Sequence, residues 1–333
     1  MPHKVSLRAL SPLVAFAGCL GLFSCAPSSP PQLPPKPAAK TPTPYVDGSF
    51  WAHWGDGQAE VSSYDLTYPR YGSARSGLAV TIFVAESFSL QSRVKADPGK
   101  HSDSDVFSVM KLNLVEDFQT GIYDYNEQTS SFLALAPAGH QQAGYLTKAS
   151  FSSQEWCGHS WAQWTVQPDG LQYTGHSYFD GEADRSALIP TPNGGITEEH
   201  LMFWARSMAE PKLMPGEERT VPFRRSLQQE RHSHREAKWT KALLTRGVVP
   251  VTISVPAGKF AVETWRVEIP EGPEITFSVE RASSHRILEW RSSDGERAVL
   301  VQSDRMKYWE LNKPGGESAL RRLGLHERTP RTP

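Results

Sequence analysis

The amino-acid sequence predicts a mainly β protein: a curved antiparallel sheet or half-barrel carrying one or two helices. Three observations predict it. Residues 45–311 break into short runs in which apolar and polar side chains alternate. Gly, Pro, Asn and Asp punctuate those runs at hairpin spacing, as in Gln167-Pro168-Asp169-Gly170 and Asp180-Gly181. The clearest helical spacing falls in one segment, 197–208. Aromatic residues make up 10 % of the chain, with ten Trp, which suffices for a packed core and excludes wholesale disorder. The 333 residues carry 35 basic and 36 acidic side chains, and a net charge of −1 argues against a nucleic-acid partner. Three cysteines exclude a disulfide-stapled scaffold.

The chain opens with a short basic region, Lys4 and Arg8, followed by an apolar stretch over 9–23. That pattern reads as an export signal and is too short for a spanning helix. Its end, Leu22-Phe23-Ser24-Cys25, resembles the lipobox of bacterial lipoproteins. The resemblance implies cleavage after residue 24, lipidation of Cys25, and a membrane partner held through that lipid anchor. The implied location is the cell envelope, at the outer membrane facing the periplasm. Ala17-Gly18-Cys19 is a rival cleavage point, but it would leave Leu20, Leu22 and Phe23 exposed on the mature end. Residues 26–44 hold eight prolines in nineteen positions. Such a segment cannot build a core, and in polyproline II it would span roughly 60 Å, the length of a tether.

The β-rich region is expected over 45–325, divisible into two halves, 45–195 and 196–325, with 326–333 a disordered tail. Residues 78–84 form a nearly continuous apolar run, as for a well-buried strand. In 106–115, Val106, Ser108, Met110, Leu112 and Leu114 share one face. Strands follow at 120–125, 130–135, 149–164 and 171–179. Thr197 caps the predicted helix, Glu198 and Glu199 suit its first turn, and Leu201, Met202, Trp204, Ala205 and Met208 keep helical spacing until Pro211. Residues 221–245 are readable as helix or strand. Strands resume at 248–255, 259–269, 275–280, 285–291, 297–302 and 306–311.

Within the second half, Val255-Pro256-Ala257-Gly258-Lys259-Phe260-Ala261, then Ile287-Leu288-Glu289-Trp290 with Ser293-Asp294-Gly295, then Tyr308-Trp309-Glu310-Leu311, follow in order. Residues 213–311 resemble the DUF3108-type envelope proteins, related in shape to the LolA/LolB lipoprotein carriers. The resemblance implies a curved antiparallel half-barrel wrapping an apolar helix or ligand.

Several residues are candidates for chemistry. On a strand, Glu155, Cys157 and His159 would share one face, offering a thiolate beside an imidazole oriented by a carboxylate. The competing reading is a buried cysteine acting as a small hydrophobe. His232 and His234 would chelate a metal from one strand face, against a solvated strand or loop as the alternative. Trp156, Trp161 and Trp204 are candidates for a ligand-binding wall or for the core. No Gly-rich phosphate loop is present and no cofactor is expected. The function expected is a non-catalytic envelope lipoprotein binding an apolar ligand (lipid or lipoprotein acyl chain) or an envelope protein partner. The alternatives are a Cys/His-dependent hydrolase or transferase and a structural scaffold.

Overall fold

The computed structural model describes residues 45–327. The export signal, Cys25, the proline-rich segment and residues 328–333 lie outside the described residues.

Helix α1 (Gly48–Trp54) begins where the Asp47 side chain accepts a hydrogen bond from the Phe50 backbone N–H. Eight strands follow: β1 (Ala59–Arg70), β2 (Ser73–Ser89), β3 (Val106–Thr120), β4 (Tyr123–Ala134), β5 (Leu146–Glu155), β6 (Gly158–Gln167), β7 (Gly170–Ser177) and β8 (Arg185–Ile189). From β2 on, each pairs antiparallel with the one before it. After the short strand β9 (Ile196–Thr197) comes a 3₁₀ turn, Glu198–His200, and helix α2 (Leu201–Ala205). Strand β10 (Glu218–Arg224), helix α3 (Leu227–Ser233) and strand β11 (Trp239–Arg246) come next. The chain closes with β12 (Val251–Val255), β13 (Gly258–Glu268), β14 (Glu274–Glu280), β15 (Ile287–Ser292) and β16 (Arg297–Met306), then 3₁₀ turns at Tyr308–Glu310 and Gly316–Leu323.

All sixteen strands belong to one sheet, ordered β8-β7-β6-β5-β4-β3-β2-β1-β16-β15-β14-β13-β11-β10-β9, with β12 beside β13. The two halves of the chain are joined where β16 returns to β1, from Ala59 opposite Met306 to Thr67 opposite Arg297. Strands β8 and β9 lie on opposite edges, yet only residues 190–195 connect them. That link reaches at most about 25 Å, whereas a flat sheet of this order would be roughly 67 Å wide. The sheet is therefore curled. Turns 71–72, 121–122, 156–157 and 293–296 fall at the same end of it, here termed the upper end.

The hollow of the curl holds the core. Leu201, Phe203, Trp204 and Ala205 of α2 are buried there beside Met110 of β3, Leu133 of β4 and Trp265 of β13. Trp204 sets its ring edge-on to Trp265, centroids 4.9 Å apart, and donates its N–H to the Pro211 carbonyl at 3.1 Å. Just after α2, Arg206 forms a bidentate pair with Glu60 of β1 at 2.7 and 3.1 Å. Its guanidinium also lies 4.2 Å from the Phe83 ring centroid.

The structure corrects several sequence expectations. The strand expected over 120–125 is cut by the Gly121-Ile122 turn, because Gly121 adopts φ +62, a left-handed value glycine takes without a Cβ clash. The helix expected over 197–208 is shorter and starts as 3₁₀, and Ser207 at φ +59 ends it. The final expected strand, 306–311, is a 3₁₀ turn. The ambiguous 221–245 is two strands around a helix: Ser226 caps α3 by accepting from Gln229 N–H, and His234 stops it in a left-handed conformation.

Candidate functional site

Along β3 the inward face reads Met110, Leu112, Leu114, Glu116, Phe118, and along β4 it reads Leu133, Ser131, Thr129, Glu127, Tyr125. Apolar residues lie deep, carboxylates sit above them, and stacked aromatic rings top both strands. Phe118 and Tyr125 stack with centroids 5.0 Å apart, and Tyr68 stacks on Phe118 at 4.6 Å.

Helix α3 lies in the upper end and binds those carboxylates. Gln228 Nε2 donates to Glu116 Oε2 at 2.7 Å and to Glu127 Oε2 at 2.9 Å. His232 Nε2 lies 2.7 Å from Glu127 Oε1, and its Nδ1 lies 2.8 Å from the Tyr68 hydroxyl. Ser153 also donates to Glu127, at 3.0 Å. Burial pushes the Glu127 carboxyl up, but His232, Gln228 and Ser153 outweigh it and the net shift is downward.

Beside α3 lies a cavity of about 330 Å³. Its apolar wall comprises Leu112, Leu114, Leu201, Met202, Ile275, Phe277 and Trp290. Its polar lining includes Arg70, Glu116, Ser131, Glu199, Gln228, His232, Ser292 and Glu296. Three of its carboxyls titrate high. Burial pushes Glu116 well above the carboxylate range, and the negative charges of Glu296 and Glu127 add to the shift. Burial raises Glu199 to about 7 against the opposing Thr197 hydroxyl and Leu227 backbone N–H. Burial raises Glu296 to about 7 although the Trp290 N–H donates to it at 2.7 Å. Glu199 is only 7 % exposed; its Oε1 accepts from Leu227 N–H at 2.8 Å, while Oε2 and the neighbouring Thr197 hydroxyl are both buried and fall short of hydrogen-bonding distance to any partner. Ser131 Oγ and Ser292 Oγ are likewise buried and unpartnered. Buried polar atoms left this way usually signal a missing donor or acceptor.

The residues singled out from the sequence are dispersed. Cys157 is exposed in the two-residue turn between β5 and β6, so it is neither a buried hydrophobe nor a strand-face neighbour of Glu155 and His159. Glu155 is ion-paired inward with Arg231 of α3, and exposed His159 lies near the ring of His176, centroids 5.5 Å apart. His232 and His234 lie at the end of α3 rather than on a strand, and they diverge: His232 points to Glu127 and His234 to Glu182. Among the described residues no cluster of His, Cys, Asp or Glu is able to hold a metal ion. Trp156 is 69 % exposed at the hairpin tip, Trp204 is core, and Trp161 lines a second hollow of about 200 Å³ with His176 and Arg231. In the sequence, Trp290 stands out only within the resemblance motif and Glu199 only as a first-turn residue; neither of them, nor Glu116 or Glu296, is singled out there as a site residue. The signal for Glu116 was present: it continues the inward phase of Met110, Leu112 and Leu114, where alternation demands an apolar residue.

The Tyr68–His232–Glu127 chain has the order of a hydroxyl relay. Burial, reinforced by the charges of Glu296, Glu116 and Glu127, pushes the Tyr68 hydroxyl well above its usual range, which makes it a poor nucleophile.

No protein-family model and no curated protein matches this sequence. Among solved structures, the chain is similar to the crystal structure of a β-barrel-like protein of a domain of unknown function, DUF1849, from Brucella abortus. The identity is 11 %, with 75 % of this chain and 99 % of that chain covered, and the TM-score is 0.41.

Proposed function

We propose that this chain is a non-catalytic lipoprotein of the cell envelope, anchored through Cys25, that holds a small ligand in the cavity beside α3. In this reading the sheet is a half-barrel of the LolA type wrapped around α2, and the proline-rich segment is the spacer between membrane and binding domain. The observation that carries it is the cavity itself: about 330 Å³, lined in part by Leu, Met, Ile, Phe and Trp side chains and otherwise by polar and charged groups that converge on it. Ligand sites run from about 300 to 1,000 Å³. The volume lies at the low end of that range, which favours a compact ligand with one polar end over a diacyl lipid.

Native mass spectrometry of the full chain, extracted in mild detergent, tests this. A one-to-one small-molecule adduct is expected, and it should be lost in Leu114→Trp, which fills the cavity. A bare mass in both proteins would remove ligand binding and leave docking of an envelope partner or a scaffold role.

A further inference from the structure

Three carboxylic acids on this cavity, Glu116 from β3, Glu199 ahead of α2 and Glu296 from the β15–β16 turn, have no ion-pair partner among the described residues. Of the side chains nearby that carry or accept positive charge, two are paired with other carboxylates. Arg225 is paired with Glu198 at 2.7 Å, and His232 with Glu127. Arg70 has no carboxylate partner and its Nε is buried without an acceptor, but its guanidinium lies over the Tyr71 and Tyr125 rings, 4.5 and 5.4 Å from their centroids, and reaches the His232 carbonyl. A buried carboxylate without a counter-charge is costly, so each such group either keeps a proton or awaits a cation. Ser131 Oγ and Glu199 Oε2, both on side chains more than nine-tenths buried, stand unpartnered at the cavity wall, with only the Thr197 hydroxyl near the carboxylate. No three ligating groups converge for a metal ion among the described residues. A cation that brings its own N–H donors would supply both the counter-charge and the donors that a retained proton does not. The same cavity is lined by the apolar side chains of Leu114, Met202, Phe277 and Trp290, and aromatic faces also attract ammonium groups.

We infer that the cavity selects a small organic cation, an ammonium group on an apolar body, with its N–H donors directed to Glu199, Glu116 and Ser131. The inference rests on the reading of this cavity as a ligand site. Binding draws the carboxyls to their ionised form, and the displaced protons pass to the buffer.

Calorimetry of the full chain in detergent at pH 7 tests it with three compounds of similar shape: benzylammonium, benzyl alcohol and benzoate. Benzylammonium should bind at least about tenfold more tightly than benzyl alcohol, the equivalent of one charge-assisted hydrogen bond. Benzoate should not bind. The benzylammonium heat should vary with the buffer's ionisation enthalpy because protons are released. In Glu199→Gln, and independently in Glu116→Gln, the affinity ratio of benzylammonium to benzyl alcohol should fall by about tenfold. Equal affinities for the amine and the alcohol would overturn cation selection and leave the ligand site standing. An unchanged ratio in both variants would overturn it as well. Failure of all three compounds to bind would remove the inference together with the site.

Discussion

Gln228 and Glu116 meet amide to carboxylate, at 2.7 Å, although 112 positions separate them in the chain. The same nitrogen also serves Glu127, so one side-chain amide fastens α3 to both carboxylate-bearing strands. Replacing it removes two donors from buried acceptors at once. Gln228→Ala is expected to cost roughly 1–3 kcal/mol, read as a lower urea midpoint at unchanged slope. Gln228→Met, nearly isosteric and equally unable to donate, should cost about as much; a neutral result for both would show that α3 is held by other contacts.

The Arg206–Glu60 pair predicts an asymmetry between single and double replacement. Both side chains are buried, and the guanidinium has settled against Phe83. Glu60→Ala leaves that charge unpaired and is expected to cost about 3–5 kcal/mol, while the double change to Met at both positions should recover most of the loss. Chemical denaturation of the three variants checks this.

The pH dependence of stability carries a definite sign. The folded-state pKa of Glu199, about 7, lies above the ordinary carboxylate value, so the native chain holds a proton that the unfolded chain has lost. Stability from this group is complete below the unfolded pKa and falls as pH rises toward 7, by roughly 3 kcal/mol in all. His200 opposes it over part of that window. Burial lowers its pKa to about 4, so its contribution is present above the unfolded value and is lost as pH falls toward 4. The gain in stability of Glu199→Gln over the parent should therefore grow as pH rises from 4.5 to 7 and then level off. Melting temperatures of both proteins across that range provide the readout, and a constant difference would refute the assignment.

Cys157 sits exposed in its hairpin turn, which predicts rapid labelling by a thiol reagent in the native state, at a rate close to that in urea. Cys157→Ser should shift stability by less than about 0.5 kcal/mol, as expected of an open surface position. Slow native labelling would show that the turn is covered.

Much of the strand order was legible because alternation and turn residues are local signals. Leu78 to Val84 and the inward face from Met110 to Leu114 both lie within strands of the sheet. What escaped depended on distant contacts. Strand β1 carries Glu60, Ser62 and Ser63 at buried positions, so its apolar pattern is broken by groups whose partners lie across the molecule: Arg206, Ser303 and the Leu323 carbonyl. The cavity escaped for the same reason. Its walls come from β3, α2, β14 and β15, which only the closure of β16 onto β1 brings together. Cys157 misled in the opposite direction: Gln154 to His159 reads as a continuous strand, but Gly158 opens a new one after a two-residue turn.

The central claim is that the space beside α3, rather than another hollow, receives the ligand. Met202 lines that cavity, whereas Met110, Met208, Met214 and Met306 lie elsewhere. Methyl-labelled methionine NMR of the full chain, titrated with benzyl alcohol and then benzylammonium, tests the claim directly. The Met202 methyl resonance should move progressively and saturate while the Met306 and Met214 resonances stay fixed. A stationary Met202 resonance at concentrations where calorimetry registers binding would place the ligand elsewhere and contradict the account.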